Sequence, residues 1–442
     1  MLVEFTIENF RSILEKKTFS LQTAPYLKKF RESNTFNTQP INLLKNAVVF
    51  GANGSGKTNL IEAIETFETM IVNSYRINAA KSVRLPYQPF SMTEDTPDYT
   101  FFEIILLIKE KLYKYSIKYN EKMIIYESMD ILKEKGNEVI YSRTYNELQG
   151  NYDYILNDTP DLTDKTKKTV LYLTVLNEFS NDLEGVQGKE VYDWFLDSLL
   201  IVDADYSSIN SRIVNRLEDP TIKERVLNFL KIADFNIVDI ETRTRKTEIP
   251  AYIRSIMEKE NMTEIDDFIE FTDVYTVYNK YDMNDNVIDK SSLHAESFES
   301  RGTNKMITIS LILLDAMEKG KTVFIDEFDN AFHYEISLFL LKIFNSSLYN
   351  EKSQFILNTH DISLLDATVL RVDQIWFVEK SKYNQSDFYS LYDFNGTSNK
   401  ARSDVKFAKD YIKGKFGAIP IINDSLFQVN IFKESDDYGS TK

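Results

Sequence analysis

Four short segments of the chain carry residue types and spacings that could do chemistry. The first, GANGSGKT from Gly51 to Thr58, fits G-x-x-x-x-G-K-[ST] in full. Gly51, Gly54 and Gly56 let a loop curl with no side chain in the way, so that consecutive backbone N–H groups can face phosphate oxygens. Lys57 would reach the β and γ oxygens and Thr58 would ligate Mg²⁺, with Asn53, Ser55 and Asn59 completing the nucleotide-binding stretch. The second, TVFIDEFDN, ends an apolar run on two acids: Asp326 suits a Mg²⁺ or Mg²⁺-water ligand, and Glu327 is placed to orient or deprotonate an attacking water. The third, SQFILNTHD, leaves His360 at a strand end within reach of a γ-phosphate. The fourth, ESRGTNK, puts Ser300 and Gly302 just before a long helix, where helix amides make a second anion site; a plain N-cap is the alternative. The expectation is a site for ATP and Mg²⁺ with hydrolysis to ADP and phosphate, Glu327 and His360 being its catalytic residues.

Elements of matching type surround each segment. NAVVF at 46–50 reads as a buried strand, and TNLIEAIETFETMIVNSY places Leu60, Ile61, Ile64, Phe67 and Ile71 at helical spacing, so strand, glycine loop and helix follow in order. From 99 to 144 the period is two, which predicts an antiparallel sheet with turns near 109–111 and 120–122. Residues 160–235 read as mainly helical, through DLTDKTKKTVLYLTVLNEF, KEVYDWFLDSLL and PTIKERVLNFLKIADF. Strands with one helix near 250–270 are expected over 237–293. After residue 303 the order predicted is helix (304–318), strand (321–325), helix (331–346), strand (353–357), a hairpin and a short helix, the pattern of a parallel sheet with right-handed crossovers.

The expected fold is α/β: an N-terminal ATPase lobe with P-loop and antiparallel sheet (1–150), an inserted mainly helical domain with some strand (151–294), a C-terminal ATPase lobe (295–425) and a tail (426–442). With 442 residues and 43% hydrophobic content the chain can bury a large core. The insert shows no sustained heptads, which excludes long coiled coils. A formal charge of -16 opposes general coating of a polyphosphate backbone, so nucleic acid is not an indicated partner. Local basic runs, Arg243, Arg245 and Lys246 or Lys165, Lys167 and Lys168, read as solvated faces. The absence of Cys rules out disulfides, thiolate metal sites and a Cys nucleophile. No signal-like start and no long apolar run appear, so a cytoplasmic protein without membrane attachment is expected.

The ordered set GANGSGKT, SRGT, FIDEFD and THD resembles the ATPase heads of the SMC, RecF and OLD group within the ABC class, in which the signature motif of one head completes the ATP site of a second. That resemblance implies that Ser300 and Gly302 act in trans, that Asp329 belongs to the D-loop, that His360 is the switch histidine, and that the protein is a homodimer or higher homo-oligomer through ATP-sandwiched heads. The signature carries Arg301 and Thr303 where many ABC proteins have Gly and Gln. IENFRSI, LKIADFNIVDIE, DQIWFVEK, SDFYSLYDF and KGKFGAIP further resemble prokaryotic AAA-annotated ABC ATPases of phage-defence and abortive-infection loci, the RloA and AbiL type and, more distantly, the PARIS ATPase. Heads of this group often open on a similar strand and Arg, which makes Arg11 a candidate nucleotide contact, a surface salt bridge being the alternative. Gln88 in YQPFS is the candidate Q-loop ligand of Mg²⁺.

Two tempting patterns are rejected. Asp203 and Asp205 in IVDADY lack the strand-borne Glu that a Toprim nuclease needs. Asp282, Asn284 and Asn286 lack the Gly and the bidentate Glu of a calcium loop, so a hairpin turn explains them better. With no nuclease chemistry visible, the expected role is a sensor, regulator or scaffold in antiviral defence for a separate toxic effector of the RloB or Toprim nuclease type. A DNA-repair ATPase and an assembly that uses ATP as glue are the alternatives.

Overall fold

The computed structural model describes residues 1–77, 84–157, 159–179, 186–204, 211–250, 254, 268–330, 332–394 and 407–419. At its centre lies the strand Asn46–Phe50, buried along its whole length. It belongs to a six-stranded sheet in the order Leu199–Val202, Thr322–Ile325, Gln354–Thr359, Asn46–Phe50, Ile375–Lys380, Ser386–Ser390. All neighbours pair in parallel except the last, which returns as a hairpin. Parallel strands covered on both faces read as continuous apolar runs, and these do.

The period of two sorts their side chains between two cores. Ala47, Val49, Phe324, Ile356 and Trp376 join a cluster with the P-loop helix Lys57–Ile77, whereas Val48, Phe50, Ile325, Leu357 and Phe377 join one with the helices Arg301–Lys319 and Tyr334–Asn345. Each of the larger side chains among these is worth roughly 1.5–3 kcal/mol on burial, so a slip of one residue would reverse both faces at once. The carboxyl ends of the parallel strands are thereby held on one edge, where ligands bind in sheets of this kind.

An antiparallel seven-stranded sheet backs the first core, in the order Asn151–Leu156, Gly136–Asn146, Ile124–Lys133, Lys111–Tyr119, Thr100–Ile108, Leu2–Glu8, Lys17–Ser20. Lys109 and Glu110 take left-handed backbone at one of the expected turns. Phe67 clamps the P-loop helix to this sheet: its ring stacks on Tyr115 at 5.6 Å and meets Phe195 edge-on at 5.3 Å.

The region 151–294 differs most from expectation. Within DLTDKTKKTVLYLTVLNEF the α-helix covers only Tyr172–Phe179. The helix Lys189–Asp193 widens over Trp194–Ser198 and stops, and Leu199 and Leu200, read as its continuation, begin the edge strand Leu199–Val202 beside Thr322–Ile325. Ile201 and Val202 are β-branched and an unpaired parallel edge is available, which decides against helix. The strand Leu199–Val202 thus lies in the same sheet as the P-loop strand. The region also holds the helix Pro220–Ile232 and a three-stranded sheet, Asp239–Glu248, Phe268–Tyr281 and Val287–His294. Almost all of the helix expected near 250–270, and the tail from 426, lie outside the described residues.

Candidate active site

The strand Asn46–Phe50 runs straight into the P-loop, and the loop's glycines are dictated by contact. A Cβ on Gly56 would sit 2.3 Å from Ser386 Oγ and 2.9 Å from Ser12 Oγ, at a φ of +104°. A Cβ on Gly51 would sit 2.5 Å from the Val378 carbonyl oxygen. Both ends of the chain brace the loop. Ser386 Oγ donates to Ser55 O at 2.6 Å, Ser12 and Ser386 share a hydrogen bond of 2.7 Å, and the Asn59 carboxamide donates to Ser12 Oγ.

Lys57 Nζ donates to Gly51 O at 2.8 Å and Ala52 O at 3.1 Å, and lies 3.1 Å from His360 Nδ1. Burial pushes its pKa down to about 8, against the pull of Asp326, Asp329 and Glu327. His360 is held below its ordinary value by burial and by Lys57 beside it, the same three acids opposing. The cation and the imidazole thus face a site that would favour an anion between them.

Across the loop, Thr58 Oγ1 donates to Asp326 Oδ2 at 2.9 Å, and Asp326 Oδ1 accepts from Asn358 Nδ2 at 3.0 Å and from the Glu327 amide at 3.1 Å. A hydroxyl and a carboxylate oxygen held side by side are hard oxygen donors that fit Mg²⁺ when phosphate oxygens and water complete its octahedron. Glu327 takes a left-handed φ of +45°, and its Oε2 accepts from Asn330 Nδ2 at 3.0 Å. Asp329 Oδ1 accepts from the His360 amide at 3.2 Å. The resulting cleft of about 630 Å³ is lined by residues 53–59 with Glu327, Asp329, Asn330, His360 and Lys380.

The remaining sequence candidates fall elsewhere. Ser300 and Gly302 do not line this cleft; Ser300 Oγ accepts from the Thr303 amide at 3.1 Å, an N-cap for the helix Arg301–Lys319. Arg11 and Gln88 do not line it either: Arg11 forms an ion pair with Glu62, and its Nε donates to Gln88 Oε1 at 2.6 Å. Arg11 here makes the ion pair given as its alternative reading, and Gln88 Oε1 accepts from its guanidinium. Arg243, Arg245 and Lys246 pair with Glu241, Asp273 and Glu270, which removes a free basic stripe. Asp282 caps a hairpin turn, accepting from the amides of Asn284 and Asn286. Asp203 follows the edge strand, and Asp205 lies outside the described residues.

Sequence reasoning missed Asn330, Asn358 and Lys380. The signal for Asn358 is its place in FILNTHD, one residue past the partner of Ile325. Lys380 ends a strand beside the P-loop strand, a position that strand ends alone would have singled out. Lys305 was missed as well. It is a buried cation in an apolar helix face, pushed down to about 8 by burial with Asp329, Glu327 and Asp326 opposing, and it donates to Glu327 O and Asn330 O.

A glycine loop between a parallel strand and a helix, with an acid pair at the end of a strand in the same sheet, defines a P-loop nucleotide-binding protein of the α/β class. The chain belongs to the family described as "AAA domain, putative AbiEii toxin, Type IV TA system", which matches residues 47–160 and 243–366, more than half of its length. Among curated proteins no sequence matches it. Among solved structures it is similar to the SMC head domain from Thermotoga maritima, at 14% identity and a TM-score of 0.39, over 88% of this chain and 98% of that one. It is also similar to an SmcHead bound to the C-winged helix domain of ScpA, at 14% identity and a TM-score of 0.44, over 88% and 97%. Among the described residues, no helix is long and apolar enough to cross a membrane.

Proposed function

We propose that this chain is a Mg²⁺-dependent ATPase of the ABC-head kind that acts as sensor or regulator in prokaryotic antiviral defence, with a separate toxic effector, a nuclease, producing the damage. The observation that carries the ATPase reading is the convergence of Lys57, Thr58, Glu327 and His360 on one cleft, with Asp326 hydrogen-bonded to Thr58 behind it. The P-loop amides and Lys57 hold the triphosphate, and Thr58 and Asp326 are the residues that would hold Mg²⁺, which supplies charge neutralisation on the β and γ oxygens. Glu327 takes a proton from water as the water oxygen bonds to the γ-phosphorus. The bond from that phosphorus to the bridging oxygen breaks, and the electron pair leaves with ADP. His360, beside Lys57, hydrogen-bonds the γ-phosphate and so reports its presence. Ser300 and Gly302, which lie outside the chain's own cleft, are free to complete the site of a second copy.

The defence reading rests on the family description and on the motif resemblance. Its test has two arms. Lys57→Ala should lose tight MgATP binding by calorimetry, by ~100-fold or more, because the loop loses its cation; wild-type affinity would sink the nucleotide site. Expression alone and with native neighbours in phage-challenged cells should give protection only with the neighbours and only with Lys57 intact. Nucleic-acid cleavage or growth arrest by the isolated chain would overturn the separate effector.

A further inference from the structure

The turn that carries Glu327 is in a conformation its sequence does not favour. Glu327 has φ +45°, where a side chain crowds the backbone, and non-glycine residues persist there only when their surroundings impose it. The Asn330 amide donates to Glu327 O at 2.9 Å and closes the turn, and the Phe328 amide donates to Asn358 O at 2.9 Å. The helix Arg301–Lys319 supplies the third restraint. Lys305, buried one turn into that helix, donates from Nζ to Glu327 O at 2.9 Å and to Asn330 O at 2.8 Å, and its ammonium lies 5.1 Å from the centre of the Phe332 ring. A charge-assisted bond at each end of the turn is stronger than a neutral one, and it fixes the backbone from which the Glu327 carboxylate enters the cleft.

We propose that Lys305 is the positioning residue of the catalytic turn: it holds the turn 327–330 closed with Glu327 in the left-handed conformation that aims its carboxylate at the cleft, and so ties the helix headed by Ser300 to the general base of the same chain. The inference rests on the reading of Glu327 as that base. Lys305 touches backbone carbonyls and contributes no group to the reacting atoms. Without its ammonium the turn relaxes toward φ below zero, which swings the Cα–Cβ bond of Glu327 and removes the carboxylate from the attacking water. Lys57, Thr58 and the P-loop amides are untouched, so MgATP still binds.

The test uses the full chain. Lys305→Met keeps the stem and its burial and removes only the charge and its hydrogen bonds. The expected result is an ATP dissociation constant within ~3-fold of wild type, single-turnover hydrolysis slower by ~30-fold or more, and faster amide hydrogen exchange at Phe328 and Asn330. A hydrolysis rate within ~3-fold of wild type, unchanged exchange in the turn, or equal losses in binding and rate would overturn the proposal. Should Lys305→Met fail to fold, Lys305→Gln, which keeps one donor, is read by the same criteria. Glu327→Gln run in parallel separates the two readings: if it hydrolyses ATP normally the base assignment fails, and if it is inactive while Lys305→Met is normal only the present inference fails.

Discussion

Two groups of charge, one within the antiparallel sheet and one at the P-loop cleft, are satisfied in opposite ways. In the antiparallel sheet, Glu127 and Arg143 are fully buried. The Glu127 carboxylate accepts from Tyr115 Oη at 3.0 Å, Tyr141 Oη at 3.3 Å, Arg143 Nε at 2.8 Å, and the amides of Tyr172 and Leu173 at 2.8 and 3.0 Å. Arg143 donates onward to Val170 O and stacks against the Tyr152 ring at 5.0 Å. This acid is saturated with donors, and it caps the helix Tyr172–Phe179 onto the sheet. In the cleft, Glu327 accepts from Asn330 Nδ2 and Asp329 from the His360 amide, both acids lie near Lys57 and His360 on the open volume, and burial has moved the Lys57 and His360 pKa values downward. Saturation marks a structural group, whereas charges left facing an open volume mark a place kept for a ligand.

The largest expected effect breaks the comparison at its structural end. Glu127→Ala strands a buried guanidinium and removes the helix cap, which costs ~3–5 kcal/mol by analogy with other broken buried pairs. Stabilities of single domains run ~5–15 kcal/mol, so denaturant unfolding should show most of the margin gone. Molecules that remain folded should bind ATP normally. A loss below ~1 kcal/mol would show that saturation is not what holds this corner together.

The next effect lies at the other end. Glu327→Gln should slow hydrolysis by ~10²–10⁴-fold, since the amide can hydrogen-bond water but cannot take its proton. Its unfolding midpoint should stay near wild type, because Lys57 and Lys305, the buried cations whose charge Glu327 favours, keep their backbone carbonyl acceptors and the acids Asp326 and Asp329. A variant that unfolds as readily as Glu127→Ala would place Glu327 in the structural class.

The contrast also explains what could be read in advance. GANGSGKT, FIDEFD and THD were legible because phosphate chemistry restricts residue types at fixed spacing, and the parallel sheet was legible because its strands alternate with helices. Glu127 and Arg143 carry no such signature: they are sixteen positions apart on adjacent strands, and only the register Glu127↔Arg143 makes them partners. The Leu199–Val202 strand was hidden for a related reason, its state being decided by Thr322–Ile325 more than a hundred residues later. Arg11 and Gln88 fell outside the cleft because local sequence does not reveal that Glu62 is near enough to take the guanidinium. Lys305 went unread because an isolated lysine in an apolar helix is informative only once the carbonyls opposite it are known.

The smallest expected effect concerns Ser300, which stands between the two classes. It performs a structural task, accepting the Thr303 amide, and a helix loses ~0.5–2 kcal/mol when such a cap becomes Ala. Against the whole fold that leaves Ser300→Ala folded at 25 °C, with wild-type ATP affinity, since the residue does not line its own chain's cleft. Ser300→Asp sharpens the reading, because Asp caps a helix about as well as Ser but adds a negative charge. If Ser300 is only a cap, both variants hydrolyse ATP at the wild-type rate and Ser300→Asp melts like wild type. If it also meets the γ-phosphate of a second copy, Ser300→Asp melts like wild type yet loses turnover by charge repulsion, and mixing it with Glu327→Gln protein restores part of the hydrolysis, because in a mixed pair both defects fall on one site and the other site is intact. The proposed trans role requires the second pattern, and normal turnover in Ser300→Asp would return Ser300 to the structural class.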